Sequence, residues 1–480
     1  MKITIFTEAG RGIGMGHLSR CAGLAQAFRE RGVQCQLLVY GDRNISRQLD
    51  VYGGDYKNWM SFQRQQPRCD IAIVDSYLAS KKIFQKIQNN SAVSLYFDDN
   101  NRIKYPKGII INGAINADQL NYGGFKHFES LLGPQYVSLR REFWDVPEKK
   151  VRAKAKKILI TFGGTDEANM TSKILGIFDR KYPLLQKIVI IGKNFIHKKD
   201  ILKQKSKNIK FVFESNAKQM SRIMQDVDFA VSAGGQTLNE LARCGCAAVI
   251  VVVADNQERH AKAWAKTKCF FYVGKANDKN FLSQIDLGLN KVSSLTFRRL
   301  AAQRGPQTVD GQGAKRIVAA CVKSYVEQHI KIRHVEEKDI KSIFELSNQP
   351  MIRQGSFAPR KITWPEHQKW FAKTLSDPKT LFLVAYAKDD LLGQIRFCIQ
   401  KKKAVVSISV DPLFQQCGIG KKIFEDGIRF LYQKRIDKII AYIKSDNTSS
   451  QEFFKSLGFE RIKSREDLKK KICMQFTLKK

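Results

Sequence analysis

Ile3-Thr4-Ile5-Phe6 is a short apolar, β-branched run that leads into Gly10-Arg11-Gly12-Ile13-Gly14-Met15-Gly16-His17, after which a helical stretch carrying Arg20 runs to Arg31. A strand, a glycine turn and a helix in that order open an α/β unit with a parallel sheet. The glycines miss the G-x-G-x-x-G dinucleotide fingerprint in every register, because Met15, His17 and Ser19 fall where the third glycine belongs. No G-x-x-x-x-G-K-[ST] occurs either, so nicotinamide, flavin and P-loop chemistry are all disfavoured. What remains is a close backbone approach for a ligand, a helix N-terminus that favours anions, and an imidazole at the same point. A histidine there can also simply cap or pack, but its place among glycines at a strand end favours a reacting group.

Outward from this turn the strand-helix alternation continues through Gln36–Tyr40, Ile71–Val74 and Ser94–Phe97. After Pro147 and a basic link, Lys149 to Lys157, it restarts with Ile158–Phe162, Ile188–Ile191, Phe211–Phe213, Phe229–Ser232 and Ala248–Val253. Two doubly wound units in series place a ligand between them at the carboxyl ends of their strands. A turn at Asp310–Gly313 opens a helix from Ala314 to about Val326, and from Ile330 the pattern changes to antiparallel-looking strands, Phe382–Tyr386, Leu391–Cys398 and Val405–Val410. The expected domains are therefore 1–147, 148–326 and 330–480.

A chain of 480 residues with 43% hydrophobic content has the length and apolar material for two or three cores. No apolar run approaches the ~18 residues of a membrane span, and the opening residues lack a signal-peptide core, so a cytoplasmic protein without membrane contact is expected. Ten cysteines are scattered, and Cys244 and Cys246 lack C-x-x-C spacing, which points to buried free thiols and no metal. The net charge of +38 suits a polyanion, yet the basic residues are dispersed, and Lys401–Lys403 and Lys469–Lys471 have the length of turns or solvated strand ends. Nucleic acid is not expected as a partner.

The second unit has its own glycine turns: Phe162-Gly163-Gly164-Thr165-Asp166 with Asn169 following, and Ser232-Ala233-Gly234-Gly235-Gln236-Thr237 leading to Glu240. Gly234 and Gly235 let backbone amides face a diphosphate, and Glu240, a helical turn on, is placed to accept hydrogen bonds from ribose hydroxyls. With Ile13–His17, Arg20, Asp75, Phe97-Asp98-Asp99, Leu131–Pro134, Leu139–Phe143 and Asn256-Gln257, residues 1 to 320 resemble the UDP-2,4-diacetamido-2,4,6-trideoxy-β-L-altropyranose hydrolases of pseudaminic acid synthesis, relatives of B-type glycosyltransferases. The resemblance implies a pair of Rossmann-like units and metal-free attack of water at the anomeric carbon with inversion. It also implies that His17 is the general base and that Gly14, Gly16, Arg20, Gly164, Thr165, Asn169, Gly235, Thr237, Glu240 and Asn256 bind substrate and UDP. Asp75, Asp98 and Asp99 orient His17 or the sugar, or cap loops. One departure is visible: the family places an arginine and an aspartate just after the first strand, where this chain reads Thr7-Glu8-Ala9-Gly10.

Val405–Val410 is followed by Gln415-Gln416-Cys417-Gly418-Ile419-Gly420-Lys421 and a helix, a Q-x-x-G-x-G turn whose amides suit a pyrophosphate. With Asn447-Thr448-Ser449-Ser450, Phe453-Phe454 and Leu457-Gly458-Phe459, residues 330 to 480 resemble the GCN5-related N-acetyltransferases, an α+β fold. That implies acetyl-CoA as cosubstrate, held by Val410, Gln415, Gly418, Gly420, Lys421 and Asn447. Many members place an acidic tyrosine where Phe454 stands, which leaves the acid unassigned; Tyr442 is one candidate, and His367 either accepts a proton or packs.

The pairing narrows both substrates, because the pseudaminic pathway acetylates UDP-4-amino-4,6-dideoxy-N-acetyl-β-L-altrosamine immediately before the hydrolase acts, on the way to flagellin or another surface glycan. Two consecutive activities in one chain are expected, with at most weak association with other pathway enzymes. The competing readings are a sugar transferase with a separate acceptor fused to an acetyltransferase for another amino sugar, and a basic nucleic-acid binder with vestigial sites.

Overall fold

The computed structural model describes residues 1–10, 12–41, 49, 52–61, 67–122, 129–192, 195–204, 207–432, 436–462 and 471–477. Arg11 of the first glycine turn and Lys469 and Lys470 of the last basic cluster lie outside the described residues. The chain divides into two compact units, Met1–Val318 and Ala319–Lys480, and the division falls inside one helix, Gly313–His329.

The first unit holds two sheets. Strands β1 (Ile3–Ala9), β2 (Cys35–Gly41), β3 (Asp55–Tyr56), β4 (Cys69–Asp75), β5 (Ser91–Phe97), β6 (Ile109–Asn112) and β7 (Glu129–Leu132) form a parallel sheet in the order β3-β2-β1-β4-β5-β6-β7. Strands β8 (Lys157–Thr161), β9 (Gln186–Ile191), β10 (Ile209–Phe213), β11 (Phe229–Ala233), β12 (Ala247–Val252) and β13 (Phe270–Lys275) form another, ordered β10-β9-β8-β11-β12-β13 and also parallel. Helices cover both faces of such sheets, which is why β1 and β12 are buried along their whole length and β12 reads as an unbroken apolar run. In each sheet the order reverses beside the first strand, at β1/β4 and at β8/β11, and crevices at such reversals hold ligands.

The expected strands are all present, most of them lengthened by one to three residues, while those expected at Ile158–Phe162 and Ala248–Val253 keep their length and shift by one residue to Lys157–Thr161 and Ala247–Val252. Those not anticipated are short or half exposed: β6 has four residues, and β7 begins with exposed Glu129 and Ser130. The basic link also has a more definite role than a solvated connection. Lys149 is buried, and its ammonium donates to the carbonyls of Met224, Gln225 and Val227 at 2.8, 3.0 and 2.8 Å, closing the end of helix Ala217–Asp226.

The second unit holds a mixed sheet of β14 (Ile330–His334), β15 (Thr380–Ala387), β16 (Asp390–Gln400), β17 (Lys403–Val410), β18 (Lys438–Lys444), β19 (Glu460–Ile462) and β20 (Lys471–Thr477), in the order β14-β15-β16-β17-β18-β20-β19. Only β17 and β18 run parallel. Their pairing stops at Val406↔Ala441, although β17 continues to Val410 and β18 to Lys444, so the two strands part and leave their facing backbone unpaired by one another. Among the described residues no helix is long and apolar enough to cross a membrane.

Candidate functional site

Strand β1 ends at Ala9 and the chain turns through Gly12 and Gly14, at φ +77° and +82°, a region that favours glycine, before helix Gly16–Glu30 begins. His17 and Arg20 lie one turn apart on that helix and both face the end of β4. The Nδ1 of His17 is 2.6 Å from Oδ1 of Asp75, and Arg20 grips the same carboxylate through Nε at 2.5 Å and a terminal nitrogen at 2.6 Å. The other terminal nitrogen of Arg20 reaches both oxygens of Asp99, at 3.0 and 2.8 Å, and Tyr77 donates to Asp99 at 2.6 Å. The Tyr77 ring meets His17 edge-on, and the Arg20 guanidinium lies over Phe97.

Burial by itself would raise the pKa of Asp75, but the adjacent Arg20 and then His17 outweigh it and hold the carboxyl well below the usual carboxylate range. Asp99 is lowered by the same balance of burial against Arg20 and Tyr77. Burial and then Asp99 push the Tyr77 hydroxyl far up, so it stays neutral and donates. An ionised Asp75 can only accept, so Nδ1 of His17 carries a proton, and in the neutral imidazole it is Nε2 that presents a lone pair.

Glu8, the point of departure from the family pattern, belongs to this site. It is fully buried, accepts from the Ser76 hydroxyl and from the Tyr77 amide at 2.8 Å, and places Oε1 3.9 Å from Nε2 of His17. A lone charged residue inside a wholly buried strand was the available signal. Asp98, adjacent to Asp99, does something else: its side chain accepts from the amides of Asn100 and Arg102 and shapes their loop.

In the second sheet, the turn after β8 puts Gly163 at φ +76°, and Asp166 accepts from the amides of Met170 and Thr171 at 2.8 and 2.9 Å, starting helix Met170–Lys181. Asn169 precedes that helix in the left-handed region, with its side-chain oxygen buried and unpartnered. Gly164 approaches Gly192 so closely that a β-carbon on Gly192 would lie 2.4 Å from the Gly164 carbonyl oxygen. Thr165 is half-buried beside it.

After β11, the side chain of Gln257 accepts from the Gly234 and Val253 amides, each at 3.2 Å, and fixes the turn. His260 adds a contact to the Gly234 carbonyl at 3.2 Å. Gly235 has open space where a side chain would stand, and Thr237 begins helix Thr237–Arg243, whose Leu238 and Asn239 amides donate to the Gly235 and Gln236 carbonyls. The two glycine turns meet: a β-carbon on Gly16 would touch the Gln236 side chain at 3.5 Å. Glu240 is engaged by Arg140 at 2.7 Å, with both side chains mostly buried; this partner competes with the expected ribose. Asn256 is exposed on the turn Asp255–Gln257 and is not drawn into this cluster.

In the second unit the loop after β17 is shaped by Gln415, whose amide donates to the Val410 carbonyl at 3.0 Å, and by Gly418 at φ +77°. Helix Ile419–Tyr432 follows at once, so the loop amides and the helix N-terminus face the same side. Gly420 permits close packing, since a β-carbon there would lie 3.0 Å from the Phe453 ring. Lys421 is exposed. Asn447 caps helix Thr448–Ser456 by accepting from the Ser450 amide at 3.0 Å. His367 packs rather than reacts: it is 1% exposed, touches the Ile340 carbonyl at 2.9 Å through Nε2, lies among Phe344, Trp364, Trp370 and Phe371, and burial lowers its pKa.

Residues 158–294 match the model of the glycosyltransferase family 28 C-terminal domain, and residues 329–460 that of the acetyltransferase (GNAT) domain. An uncharacterized protein of Methanocaldococcus jannaschii is 22% identical over 96% of this chain and 97% of its own length. The pseudaminic acid cytidylyltransferase and UDP-2,4-diacetamido-2,4,6-trideoxy-β-L-altropyranose hydrolase of Helicobacter pylori is 25% identical over 56% of this chain, and the match spans 48%, about half, of that protein. The spore coat polysaccharide biosynthesis protein SpsG of Bacillus subtilis is 22% identical over 68% of this chain and 100% of its own. The chain thus joins a segment homologous to the pseudaminic acid pathway hydrolase to a C-terminal acetyltransferase (GNAT) domain.

Proposed function

We propose that the chain carries two consecutive reactions: acetyl transfer from acetyl-CoA to UDP-4-amino-4,6-dideoxy-N-acetyl-β-L-altrosamine at residues 330–480, then hydrolysis of the resulting UDP-2,4-diacetamido-2,4,6-trideoxy-β-L-altropyranose by residues 1–326. The observation that carries the hydrolytic half is the 2.6 Å contact between His17 Nδ1 and Asp75, which turns Nε2 into a proton acceptor beside a glycine turn. Water forms its bond to the anomeric carbon as the bond to UDP breaks, the configuration inverts, UDP departs with the bonding pair, and the water proton passes to Nε2 of His17. Gly14 and Gly16 keep that approach open, and Arg20 holds Asp75 in place. Gly164, Thr165, Asn169, Gly235, Thr237, Glu240 and Asn256 are assigned to the nucleotide and sugar.

The acetyltransferase half rests on the parted strands β17 and β18 and the Q-x-x-G-x-G loop. The unpaired edge near Val410 takes the acyl-CoA arm, and Gln415, Gly418, Gly420, Lys421 and Asn447 surround the rest. The amine nitrogen bonds to the thioester carbon as the carbon–sulfur bond breaks, and the proton lost by the amine is balanced by one taken up by the departing thiolate, so that CoA leaves as the thiol. The work is placed in the cytoplasm.

The test is a coupled assay with purified protein, the UDP-amino sugar and acetyl-CoA, following CoA and UDP, beside His17→Ala. The expected result is release of both by the wild type, with the variant releasing CoA while acetylated UDP-sugar accumulates. UDP release that survives the variant overturns the hydrolytic assignment. UDP release only when a second sugar acceptor is added replaces hydrolysis with glycosyl transfer.

A further inference from the structure

On β16, Gln394, Arg396 and Cys398 alternate with Ile395 and Phe397, which are fully buried on the opposite face against helix Ile419–Tyr432. The first three therefore share the other face, where Arg396 pairs across to exposed Ser407 and Gln394 to Ser409 on β17. Helix Trp364–Leu375 borders this face through Trp370, whose ring lies 5.0 Å from the Arg396 guanidinium. Two polar atoms here are buried without a hydrogen-bond partner, Nε of Arg396 and Oε1 of Gln394. Among the described residues no carboxylate pairs with Arg396; its polar neighbour is the thiol of Cys398. Burial alone pulls its pKa down.

Arginine is ordinarily buried against a carboxylate, because a desolvated guanidinium without a counter-charge is costly. Arg20 follows this rule with Asp75 and Asp99, and Arg140 with Glu240, while Arg353 shares with Arg396 a buried Nε without a hydrogen-bond partner. Arg396 has an aromatic platform instead, the ring of Trp370. A planar fork stacked on an indole, with an amide oxygen two residues away, is a receptor for an anion that also carries hydroxyl or N–H donors. Ser407 stands three residues along β17 from Val410, about 10 Å at ~3.3 Å per residue. An anion at Arg396 thus lies within one sugar ring and its phosphate of the strand end where the acyl group is placed.

We infer that Arg396, with Gln394 and Trp370, forms the subsite that holds the phosphate of the acetyl acceptor, so that this domain acts on a phosphate-linked amino sugar and discriminates against the same amine without its phosphate. This deepens the acetyltransferase reading above and rests on it. Arg396 binds the acceptor and takes no part in the proton transfers.

The experiment measures CoA release by the full chain with the UDP-amino sugar and with the free amino sugar, for wild type, Arg396→Met and Arg396→Lys. Arg396→Met is expected to raise KM for the UDP-amino sugar about tenfold or more, the scale of a lost charge-assisted bond, while kcat and the KM for acetyl-CoA stay within about twofold. Arg396→Lys recovers part of the loss, since it restores the charge without the fork. With the free amino sugar the wild type should be as poor as Arg396→Met. An unchanged KM for the UDP-amino sugar in Arg396→Met overturns the inference and leaves the acetyltransferase reading standing. A rise in the KM for acetyl-CoA instead assigns Arg396 to CoA and also overturns it. No CoA release by the wild type with the UDP-amino sugar overturns both.

Discussion

The site around His17 and the loop after β17 both follow a strand with a glycine turn and a helix, yet they are built from different material. The first is made of side chains: Glu8, His17, Arg20, Asp75, Tyr77 and Asp99 come from three strand ends and one helix and hold one another by charge-assisted bonds. The second is made of backbone, with Gln415 and Asn447 spending their side chains on the chain itself. Proton transfer needs an oriented base, whereas a long cosubstrate needs only an unpaired strand edge and unoccupied amides. Substitutions should therefore act in kind: charge changes in the first site reduce turnover, and size changes in the second reduce affinity.

The largest test of that contrast is Asp75→Asn, which preserves shape but frees the His17 tautomer. We expect UDP release to fall about 10²- to 10³-fold, the scale of losing an oriented general base, with CoA release unchanged. Equal loss of both products would mean the two sites are not separable. Next comes Gly420→Val: its side chain must enter the space of the Phe453 ring, so KM for acetyl-CoA should rise roughly tenfold, the effect of a misplaced positioning group, while UDP release from a pre-acetylated substrate is untouched. A fall in kcat with unchanged KM would show that the loop does more than bind. The smallest effect is on acid stability. Because Asp75 titrates below its unfolded value, its contribution is complete above about pH 4 and is lost as the pH falls below it, so the midpoint of thermal unfolding of the first unit should fall less steeply between about pH 5 and 2 in Asp75→Asn than in wild type. Parallel slopes would refute the Arg20–Asp75 balance.

Much of the scaffold was readable because it is local. Apolar runs ending in glycines fix strand, turn and helix within a few residues, and the strands read that way are present with bounds that move by one to three residues. The partners of the reactive groups were less accessible because they are distant along the chain: His17 and Asp75 are 58 residues apart, and Arg140 and Glu240 are 100 apart. Identity also conceals role. Asp98 and Asp99 are neighbours with opposite duties, one holding a loop by its amides and the other clamping Arg20, a difference set by which side of the strand end each leaves. Glu8 read as a departure from the family pattern, but its burial beside Ser76 and Tyr77 makes it part of the same cluster. His367 had two open readings, and the surrounding rings decide for packing.

The cluster at the end of β1 and β4 has a further property that lies in its sum rather than in any pair. Three carboxylates, Glu8, Asp75 and Asp99, gather around His17 and Arg20, while the turn meeting them from the other sheet brings Gly235 and the start of helix Thr237–Arg243. Negative charge is thereby concentrated at the end of the first sheet, beside the glycine turn of the second. As the bond to UDP lengthens, a sugar ring gains positive character and the diphosphate gains negative. In the proposed hydrolysis such a charge distribution would stabilise the positive character the sugar gains as UDP leaves, before any proton moves.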